Sequence, residues 1–497
     1  MPNSLGAIDI LVLAVSLVAV IVIGLRGGGK STTLEAYLLG DRNLPWWAIL
    51  GSIVSTETST ATVLSVPGRG YGPPGMTFLQ LAIGYIIGRA IVVRMLLPLY
   101  FRRSLITAYE VLDQRFGLRM KQAASLLFLV TRNLGDGLRL FLVAMVLQEL
   151  AGWPFAGSIL TVGLVTMVYT YVGGMRSVVW NDCLQFVIYL IGGIAAVFVI
   201  AANIPGGWSE LWEYARVHDK FRVIDWRLTW DNPYNIWAGV IGGAMLTLGS
   251  HGTDHMMVQR YLSARSERDA GRAVFLSSLV VFLQFALFLF IGIELACYYS
   301  HHPELTFEKT DKVFSHFIVH YFPKNTGLVG LMLAAILAAA MSTSLNSTAS
   351  SLVHDFYLPL RREPVSPDRA LVLTRRMVLF FGFVQIGIGF WAIQFTNAVV
   401  DNALMIASFS AGLMLGVYSL GVLTRSVGST AALCGAAVGL TALLIVQYGV
   451  PMWGAAMTPP EVWKPIAFPW LAPIGATTTF VAGSLAALIF PRRELTT

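Results

Sequence analysis

Long apolar runs follow one another along the whole chain, and polar residues interrupt them at only a few places. A membrane-spanning helix needs about twenty mostly apolar residues in succession. Thirteen windows of this kind occur, at residues 7–25, 46–68, 77–101, 122–149, 156–172, 178–202, 235–258, 274–299, 326–353, 373–395, 401–423, 429–449 and 470–490. The pattern therefore predicts an all-α integral membrane protein with about thirteen transmembrane helices.

The second window has a polar interruption at its centre. Residues 55–60 read Ser-Thr-Glu-Thr-Ser-Thr, which places hydroxyl groups around one carboxylate, that of Glu57. Inside a bilayer such a stretch is tolerated where it is buried in protein or lines a cavity that holds water or a ligand. The alternative is an intact helix whose hydroxyls bond the preceding turn, but an isolated acid at this depth is costly. We predict a broken helix that builds a binding site.

The seventh window has a second interruption, where residues 249–255 read Gly-Ser-His-Gly-Thr-Asp-His. Two broken helices five positions apart predict an inverted repeat of five plus five helices around a common site. In this interpretation residues 46–202 form the first repeat and residues 235–423 the second. Residues 1–26 and 429–490 then supply peripheral helices of a single membrane domain, 1–497. A helix end at the membrane interface is the alternative for the second break.

Composition supports the membrane environment, because 56% of the residues are hydrophobic and only 12% are charged. The net charge of +7 comes largely from Arg and Lys in short loops, at 26–42, 102–121, 260–272 and 361–376. Positive loops stay on the cytoplasmic side, so we predict an outside N-terminus and a cytoplasmic C-terminus in the plasma (inner) membrane. We expect no nucleic-acid partner, because the charge is not carried by a soluble basic domain.

Several segments resemble the sodium/solute symporter family. They are LPWWAILGS with STETSTATVLSVPG, GGMRSVVWNDCLQ, GTDHMMVQRYLSARS and LAAAMSTSLNSTASSLVHDFY, in this order between residues 44 and 357. The resemblance implies the leucine-transporter fold and alternating access. It also implies sodium-coupled import of a small organic solute, such as an amino acid, a sugar or a monocarboxylate. Na⁺ would be the coupling ion, and no other cofactor is expected.

The resemblance also implies the sodium ligands. These are the backbone carbonyl oxygens of Ser55, Thr58 and Ala339 and the hydroxyls of Ser342 and Thr343. Sodium is a hard cation that binds oxygen, and a broken helix frees carbonyls for this purpose. Ordinary interhelical hydrogen bonding is the alternative for a Ser-Thr pair.

A second sodium at Asp182 is a further alternative, since the acid matches a sodium-binding position of some relatives. Leu345 and Asn346 stand where those relatives supply hydroxyls. We therefore prefer coupling to one sodium ion and a structural or supporting role for Asp182.

Five polar residues are candidates for substrate binding, and they lie on or near the two breaks: Glu57, Ser59, Thr62, Gln80 and Asp254. The acid at Glu57 would pair with an amine, bind through water or take up a proton when buried. It slightly favours a cationic group on the substrate, whereas the surrounding hydroxyls suit sugars or carboxylates. The sequence leaves the substrate open.

Other polar pairs favour structural interpretations. Asp136 and Arg139 share a helix face at i and i+3 and neutralise one another, which we prefer to substrate binding. His251 and His255 have a spacing that suits metal, but Gly252 between them disfavours a regular helix. We expect them to line the break or take part in gating.

Three function classes remain open on the sequence, and the transporter is preferred. A membrane enzyme would need a nucleophile with an adjacent base. A passive channel would need a pore, commonly one built by oligomerisation, and a membrane sensor would need an output domain. The expected partners are a small-molecule substrate, sodium and the lipid bilayer, and an oligomer is not required.

Overall fold

The computed structural model describes residues 5–27, 33–58, 60–73, 75–102, 105–307, 310, 312–341, 344–394, 399–449 and 466–490. Twenty α-helices account for most of these residues. They are α1 Ala7–Gly27, α2 Leu34–Leu39, α3 Trp46–Glu57, α4 Thr60–Tyr71, α5 Leu79–Ile91, α6 Leu97–Phe101, α7 Glu110–Phe116, α8 Leu118–Ala151, α9 Phe155–Asn203, α10 Gly207–Val217, α11 Gly243–Gly252, α12 His255–Leu262, α13 Glu267–Ser300, α14 Lys312–Tyr321, α15 Leu328–Met341, α16 Leu345–Ser351, α17 Pro367–Trp391, α18 Val399–Leu423, α19 Ser429–Leu444 and α20 Leu471–Ile489. Short π-helical turns extend several of them, at Val92–Leu96, Ala238–Gly242, Leu352–Tyr357 and Ile445–Gly449.

Within the described ranges, eight helices are long and apolar enough to cross a membrane. The sequence predicts thirteen windows, and the difference has physical causes. Three windows fall on helices that are interrupted, and the window at 122–149 falls on α8, which carries three charged residues at its centre. Two more windows merge into α9. The number of thirteen spans therefore stays a prediction, while the all-helical architecture is confirmed.

Both predicted breaks are present. Helix α3 ends at Glu57, and Thr58 has an extended backbone (φ −74°, ψ 109°). The Thr58 hydroxyl donates to the carbonyl of Val54 at 2.8 Å, the i−4 bond that Ser and Thr also make inside intact helices. Helix α11 ends at Gly252, and Asp254 (φ −78°, ψ 124°) caps α12 by accepting a hydrogen bond from the Met256 amide at 2.9 Å. The second break thus has a capping residue that stabilises it.

A third interruption precedes α16. The structure describes α15 as far as Met341 and the chain again from Ser344, and α16 begins at Leu345. The sequence predicts one span over residues 326–353. Ser344 precedes α16 with a backbone that is not α-helical (φ −91°, ψ 11°).

A close helix crossing fixes the second half of the first broken helix, α4. Where α4 crosses α13, a Cβ added to Gly70 would lie 2.1 Å from the Leu289 carbonyl oxygen. A Cβ added to Gly292 would lie 2.0 Å from the Pro67 carbonyl oxygen. Small residues at such a crossing let membrane helices pack backbone against backbone. The C-terminal half of α4 is therefore held against α13.

Helix α9 bends at Gly174, which joins the fifth and sixth predicted windows. Gly174 has φ 55° and ψ −148°, a conformation that only glycine adopts at low cost. An added Cβ would also lie 2.3 Å from the carbonyl oxygen of Tyr37. The bend divides α9 into two helical segments, which correspond to the two predicted spans.

Candidate functional site

A cavity of about 110 Å³ lies between α8, the α11–α12 break and α18. Its wall combines four charged side chains with hydroxyls and a few apolar groups. The lining residues are Tyr109, Thr131, Arg132, Gly135, Asp136, Arg139, Gly249, Ser250, Thr253, Asp254, Ile406, Ala407, Ser410, Ala411 and Met414. A concave site with a small number of placed polar groups is typical of small-molecule binding.

Two of the four charges form a tight pair across the cavity. Arg132 on α8 donates from Nη2 to Oδ2 of Asp254 at 2.5 Å. The side chains are only 19% and 17% exposed. The other carboxylate oxygen of Asp254 accepts the Met256 amide. Asp254 therefore lies at the cavity, as the sequence predicts, but its charge is already neutralised by Arg132.

The third charge, Asp136, points toward the α15–α16 break. Its Oδ2 accepts hydrogen bonds from the Ser344 amide at 2.9 Å and from the Ser344 hydroxyl at 2.6 Å. Gln385 on α17 approaches the same oxygen at 3.5 Å. The Asp136 side chain is 1% exposed. One oxygen of this carboxylate thus holds the first residue before α16.

The fourth charge, Arg139, has only a loose partner. Its Nη1 lies 3.9 Å from Oδ1 of Asp136, beyond hydrogen-bond distance. Nη1 is buried and makes no hydrogen bond to any residue that the structure describes. The structure therefore agrees with the predicted i,i+3 proximity of the two residues, but the pair is weak. Arg139 is the cavity cation best placed to receive a ligand.

Glu57 has a cationic partner that the sequence analysis misses. Arg89 on α5 donates to the Glu57 carboxylate through Nη2 and to the Ser277 hydroxyl through Nη1 at 2.7 Å. Arg89 is fully buried. His251 at the second break places Nε2 3.7 Å from the same Glu57 oxygen. The protein thus supplies a counter-charge to Glu57 itself, and a role of Glu57 in substrate binding stays a prediction.

The sequence contains a signal for this partner. Arg89 lies inside the apolar window at 77–101, and Arg132 lies inside the window at 122–149. A charge within a membrane span usually has a partner or a function. Pairing each intramembrane acid with the intramembrane arginines would have indicated Arg89 and Arg132.

The structure describes only some residues of the predicted sodium site. Ser55 is buried, and its hydroxyl donates to Gln185 at 3.4 Å. The Thr58 hydroxyl accepts from Gln284 at 2.7 Å. Ala339 lies in the last turn of α15. Ser342, Thr343 and the substrate candidate Ser59 lie outside the described residues.

Two further substrate candidates, Gln80 and Thr62, are buried and are not among the residues that line the cavity. Gln80 is fully buried, its amide nitrogen donates to the Tyr234 carbonyl at 2.8 Å, and its amide oxygen accepts from the Asp225 amide at 3.0 Å. Its polar atoms are thus used to hold the loop that precedes α11, and the cavity wall does not include it. Thr62 is buried in α4.

Asp182 on α9 forms a buried network with α3 and α12. Its Oδ2 accepts from Arg260 Nη2 at 3.0 Å and from the Ser52 hydroxyl at 2.5 Å. Arg260 also donates from Nε to the Ser52 hydroxyl at 2.8 Å. A guanidinium thus lies against the acid that is the candidate for a second sodium.

The two histidines at the second break have different partners. His251 Nδ1 lies 3.1 Å from the Thr247 hydroxyl and 3.0 Å from that of Ser250. His255 accepts a hydrogen bond from the Ala108 amide at 3.2 Å. His251 therefore belongs to the Glu57 group, and His255 joins α12 to the loop before α7.

Comparisons with known proteins identify the family. A family model described as the sodium:solute symporter family matches residues 37–439. The chain belongs to the sodium:solute symporter family. Members of this family are secondary transporters, so this symporter uses sodium to transport a small-molecule substrate across a membrane and is not an enzyme.

Individual relatives agree with this assignment. The sodium/iodide cotransporter of Homo sapiens is 26% identical over 459 residues, which are 90% of this chain and 71% of that protein. The sodium/sialic acid symporter of Proteus mirabilis is 27% identical over 505 residues, covering 99% and 97%. A solved structure of a substrate-bound, outward-open Na⁺-coupled sialic acid symporter has a TM-score of 0.87 and 26% identity, covering 99% of this chain and 100% of that one. The predicted leucine-transporter fold is confirmed.

Proposed function

We propose that this symporter imports a small organic anion together with sodium, and that the acidic group of the anion binds Arg139. The supporting observation is the uneven pairing of the four cavity charges. Arg132 and Asp254 neutralise each other, and one oxygen of Asp136 is taken by Ser344. Arg139 keeps a buried Nη1 that makes no hydrogen bond to any described residue. A carboxylate suits this position, because a guanidinium presents a planar fork of donors to it.

Two other observations favour an anion over a cation. The only acid at the first break, Glu57, already has Arg89 as its counter-ion, so a substrate amine has no unpaired acid there. The sodium/iodide cotransporter and the sodium/sialic acid symporter are named for solutes that are anions at neutral pH. A substrate with a hydroxyl-bearing body also fits, because Thr131, Ser250 and Ser410 line the cavity beside the arginines.

Sodium binds, in this proposal, between the end of α3 and the α15–α16 break. The carbonyls of the last helical turn lack intrahelical partners, and α3 ends at Glu57. The proposed ligands are the carbonyl oxygens of Ser55, Thr58 and Ala339 and the hydroxyls of Ser342 and Thr343. We infer one coupled sodium, because Arg260 already supplies a positive charge to Asp182.

The proposed setting is the plasma (inner) membrane, with the N-terminus outside and the C-terminus in the cytoplasm. Arginine-rich loops on one side support this orientation. The proposed repeats are residues 46–202 and 235–423, each beginning with a broken helix. The cavity then lies where the second break faces α8 and α18.

A thermal-shift panel tests the proposed substrate class. Purified protein in detergent is heated with sialic acid, with lactate, with the neutral amide of lactate and with a simple amine, each in sodium and in choline buffer. We expect stabilisation by at least one carboxylate, only in sodium, and none by the amide or the amine. Stabilisation by the amine or the amide, with no response to either carboxylate, would contradict the proposal.

A variant locates the binding group. Arg139→Gln removes the charge and keeps a polar side chain of moderate length, so the carboxylate response should disappear. Arg139→Lys keeps a charge without the planar fork and should retain a weakened response. An undiminished response of Arg139→Gln to the carboxylate would place the anion elsewhere.

A further inference from the structure

A groove of about 550 Å³ lies between α13 and the turns that follow α5, outside the cavity that contains Arg139. Val93 and Leu97 line it from the α5 side, and Phe275 lines it from α13. Gly271 of α13 completes this apolar part, and a Cβ added to it would lie 3.2 Å from a methyl carbon of Val93. The two chain segments therefore approach each other closely beside the groove.

The helices that border the groove expose apolar side chains at intervals of four residues, and such residues share one face of a helix. The exposed residues are Ile87 and Ile91 of α5, Met95 of the π-helical turn that follows it, and Phe275, Leu279 and Leu283 of α13. Exposed apolar surface on membrane-spanning helices contacts lipid tails. The groove therefore lies on a surface that acyl chains cover.

One end of the groove lies where the hydrocarbon layer ends. Residues 273–293 of α13 carry no charged side chain, and about twenty apolar residues are enough to cross the hydrocarbon core. Arg272 directly precedes this run, so its guanidinium lies at the level of the lipid headgroups. In the proposed orientation of the chain, these headgroups belong to the cytoplasmic leaflet.

Two arginines are available to an anion at this end. Arg268 and Arg272 both line the groove and are four residues apart on α13, which places them side by side. Arg268 is exposed, and no side chain that the structure describes bonds its guanidinium. Arg272 is 50% exposed, and its Nη1 lies 3.9 Å from the Asp269 carboxylate, beyond hydrogen-bond distance. The third charged residue of the wall, Glu267, is the first residue of α13, where the positive end of the helix dipole offsets its charge.

We propose that this groove binds an anionic phospholipid, with the phosphate group between Arg268 and Arg272 and an acyl chain against Val93, Leu97 and Phe275. Basic pockets between membrane-spanning helices bind phospholipid headgroups in this way, and each buried methylene of the chain adds to the affinity. A zwitterionic lipid gains less, because its ammonium group offsets its phosphate. The bound lipid contacts α13 and the end of α5 together, so it stabilises the folded protein.

Melting temperatures test the proposal without a substrate. Purified, delipidated protein in a neutral detergent is titrated with dioleoylphosphatidylglycerol, with dioleoylphosphatidylcholine and with inorganic phosphate. We expect the anionic lipid to raise the melting temperature more than the zwitterionic lipid at equal concentration, and inorganic phosphate to have no effect. Equal stabilisation by the two lipids would overturn the proposal, and so would equal stabilisation by inorganic phosphate, which would indicate a site for free anions.

A double variant tests the two arginines. Arg268→Gln/Arg272→Gln should need at least about tenfold more phosphatidylglycerol for the same stabilisation, because each arginine near an anionic lipid contributes to its binding. Arg369→Gln/Arg376→Gln is the matched control, since it removes two exposed arginines near the start of another spanning helix, α17. The control should respond like the wild type. A full response of the first variant, or an equal loss in both, would overturn the site.

A second pair of variants tests the place of the acyl chain. Phe275→Ala removes one apolar wall of the groove, and Phe275 is 38% exposed, so the truncation leaves the helix packing largely intact. It should weaken phosphatidylglycerol binding severalfold. Leu283→Ala is the control, because Leu283 is more exposed on the same helix but does not line the groove. Unchanged binding by Phe275→Ala, or an equal loss in Leu283→Ala, would contradict binding of the lipid in this groove.

Discussion

Arg260 of α12 donates from Nη2 to Oδ2 of Asp182 on α9 at 3.0 Å, and each side chain is 1% exposed. Ser52 of α3 bonds both residues, to Asp182 at 2.5 Å and from Arg260 Nε at 2.8 Å. These bonds therefore tie α3, the first half of the first broken helix, and α12, the second half of the second broken helix, to α9. It also determines what Asp182 can do, since the acid already has a full positive charge beside it.

The first prediction concerns the stability of this pair. Asp182→Asn leaves the Arg260 guanidinium buried without a counter-charge, and such a change typically costs about 3–5 kcal/mol. The double variant Asp182→Asn/Arg260→Gln removes both charges, so its loss of thermal stability should be clearly smaller than the sum of the two single losses. Melting temperatures in detergent provide the measurement. Strictly additive losses would mean that the two residues do not stabilise each other.

The second prediction is the sodium stoichiometry. Because Arg260 neutralises Asp182, we expect uptake to depend on sodium with a Hill coefficient close to one. Ser342→Ala and Thr343→Ala each remove one proposed oxygen ligand and should raise the sodium concentration for half-maximal uptake severalfold. Potassium should not replace sodium. A Hill coefficient near two, or wild-type sodium dependence in both alanine variants, would argue against the single site as proposed.

The third prediction concerns Glu57. Glu57→Gln removes the counter-ion of the fully buried Arg89, so the first effect should be a lower melting temperature. Adding Arg89→Gln should recover part of that loss, because the second change removes the uncompensated charge. Glu35→Gln is the matched control, since Glu35 is 58% exposed in its pair with Arg42. Exposed pairs contribute about 0–1 kcal/mol, and an equally large effect at Glu35 would show that burial is not the cause.

The fourth prediction tests the bend in α9. Gly174→Ala forces a side chain into a left-handed backbone and places its Cβ 2.3 Å from the Tyr37 carbonyl oxygen. We expect a large loss of folded protein, measured as the monodisperse fraction after purification. Gly387→Ala on α17 is the control, because nothing lies within 4 Å of its added Cβ. Alanine there should be neutral or stabilise by up to about 1 kcal/mol. Equal yields of the two variants would contradict this account of the bend.

The sequence predicts the two broken helices because a polar run interrupts each apolar window. At the second break, Asp254 begins α12 through its own carboxylate. The break before α16 is different. Ser344 is held by Asp136, a residue 208 positions earlier in the chain. No local pattern in the Ala- and Ser-rich segment indicates such a partner.

The candidate site also combines features that the sequence predicts with features that depend on residues far apart in the chain. Asp254 is predicted correctly to lie at the second break, because the residue is also the helix cap. The sequence shows Arg89 and Arg132 as charges inside apolar windows, but which acid each arginine faces depends on which helices meet, so the pairs Arg89–Glu57 and Arg132–Asp254 are established by the fold. For Gln80, the fold adds contacts that the sequence does not indicate, because the loop before α11 folds back and bonds both polar atoms of its amide.

Uptake into proteoliposomes tests the central claim most directly. The labelled carboxylate that stabilises the protein most in the thermal-shift panel is added outside, with an inward sodium gradient or with choline, to vesicles that contain wild-type protein or Arg139→Gln. We predict accumulation above the external concentration only for the wild type and only with the sodium gradient, and at least a tenfold loss in the variant. Equal accumulation in choline, or undiminished uptake by Arg139→Gln, would contradict sodium-driven import of an anion at this site.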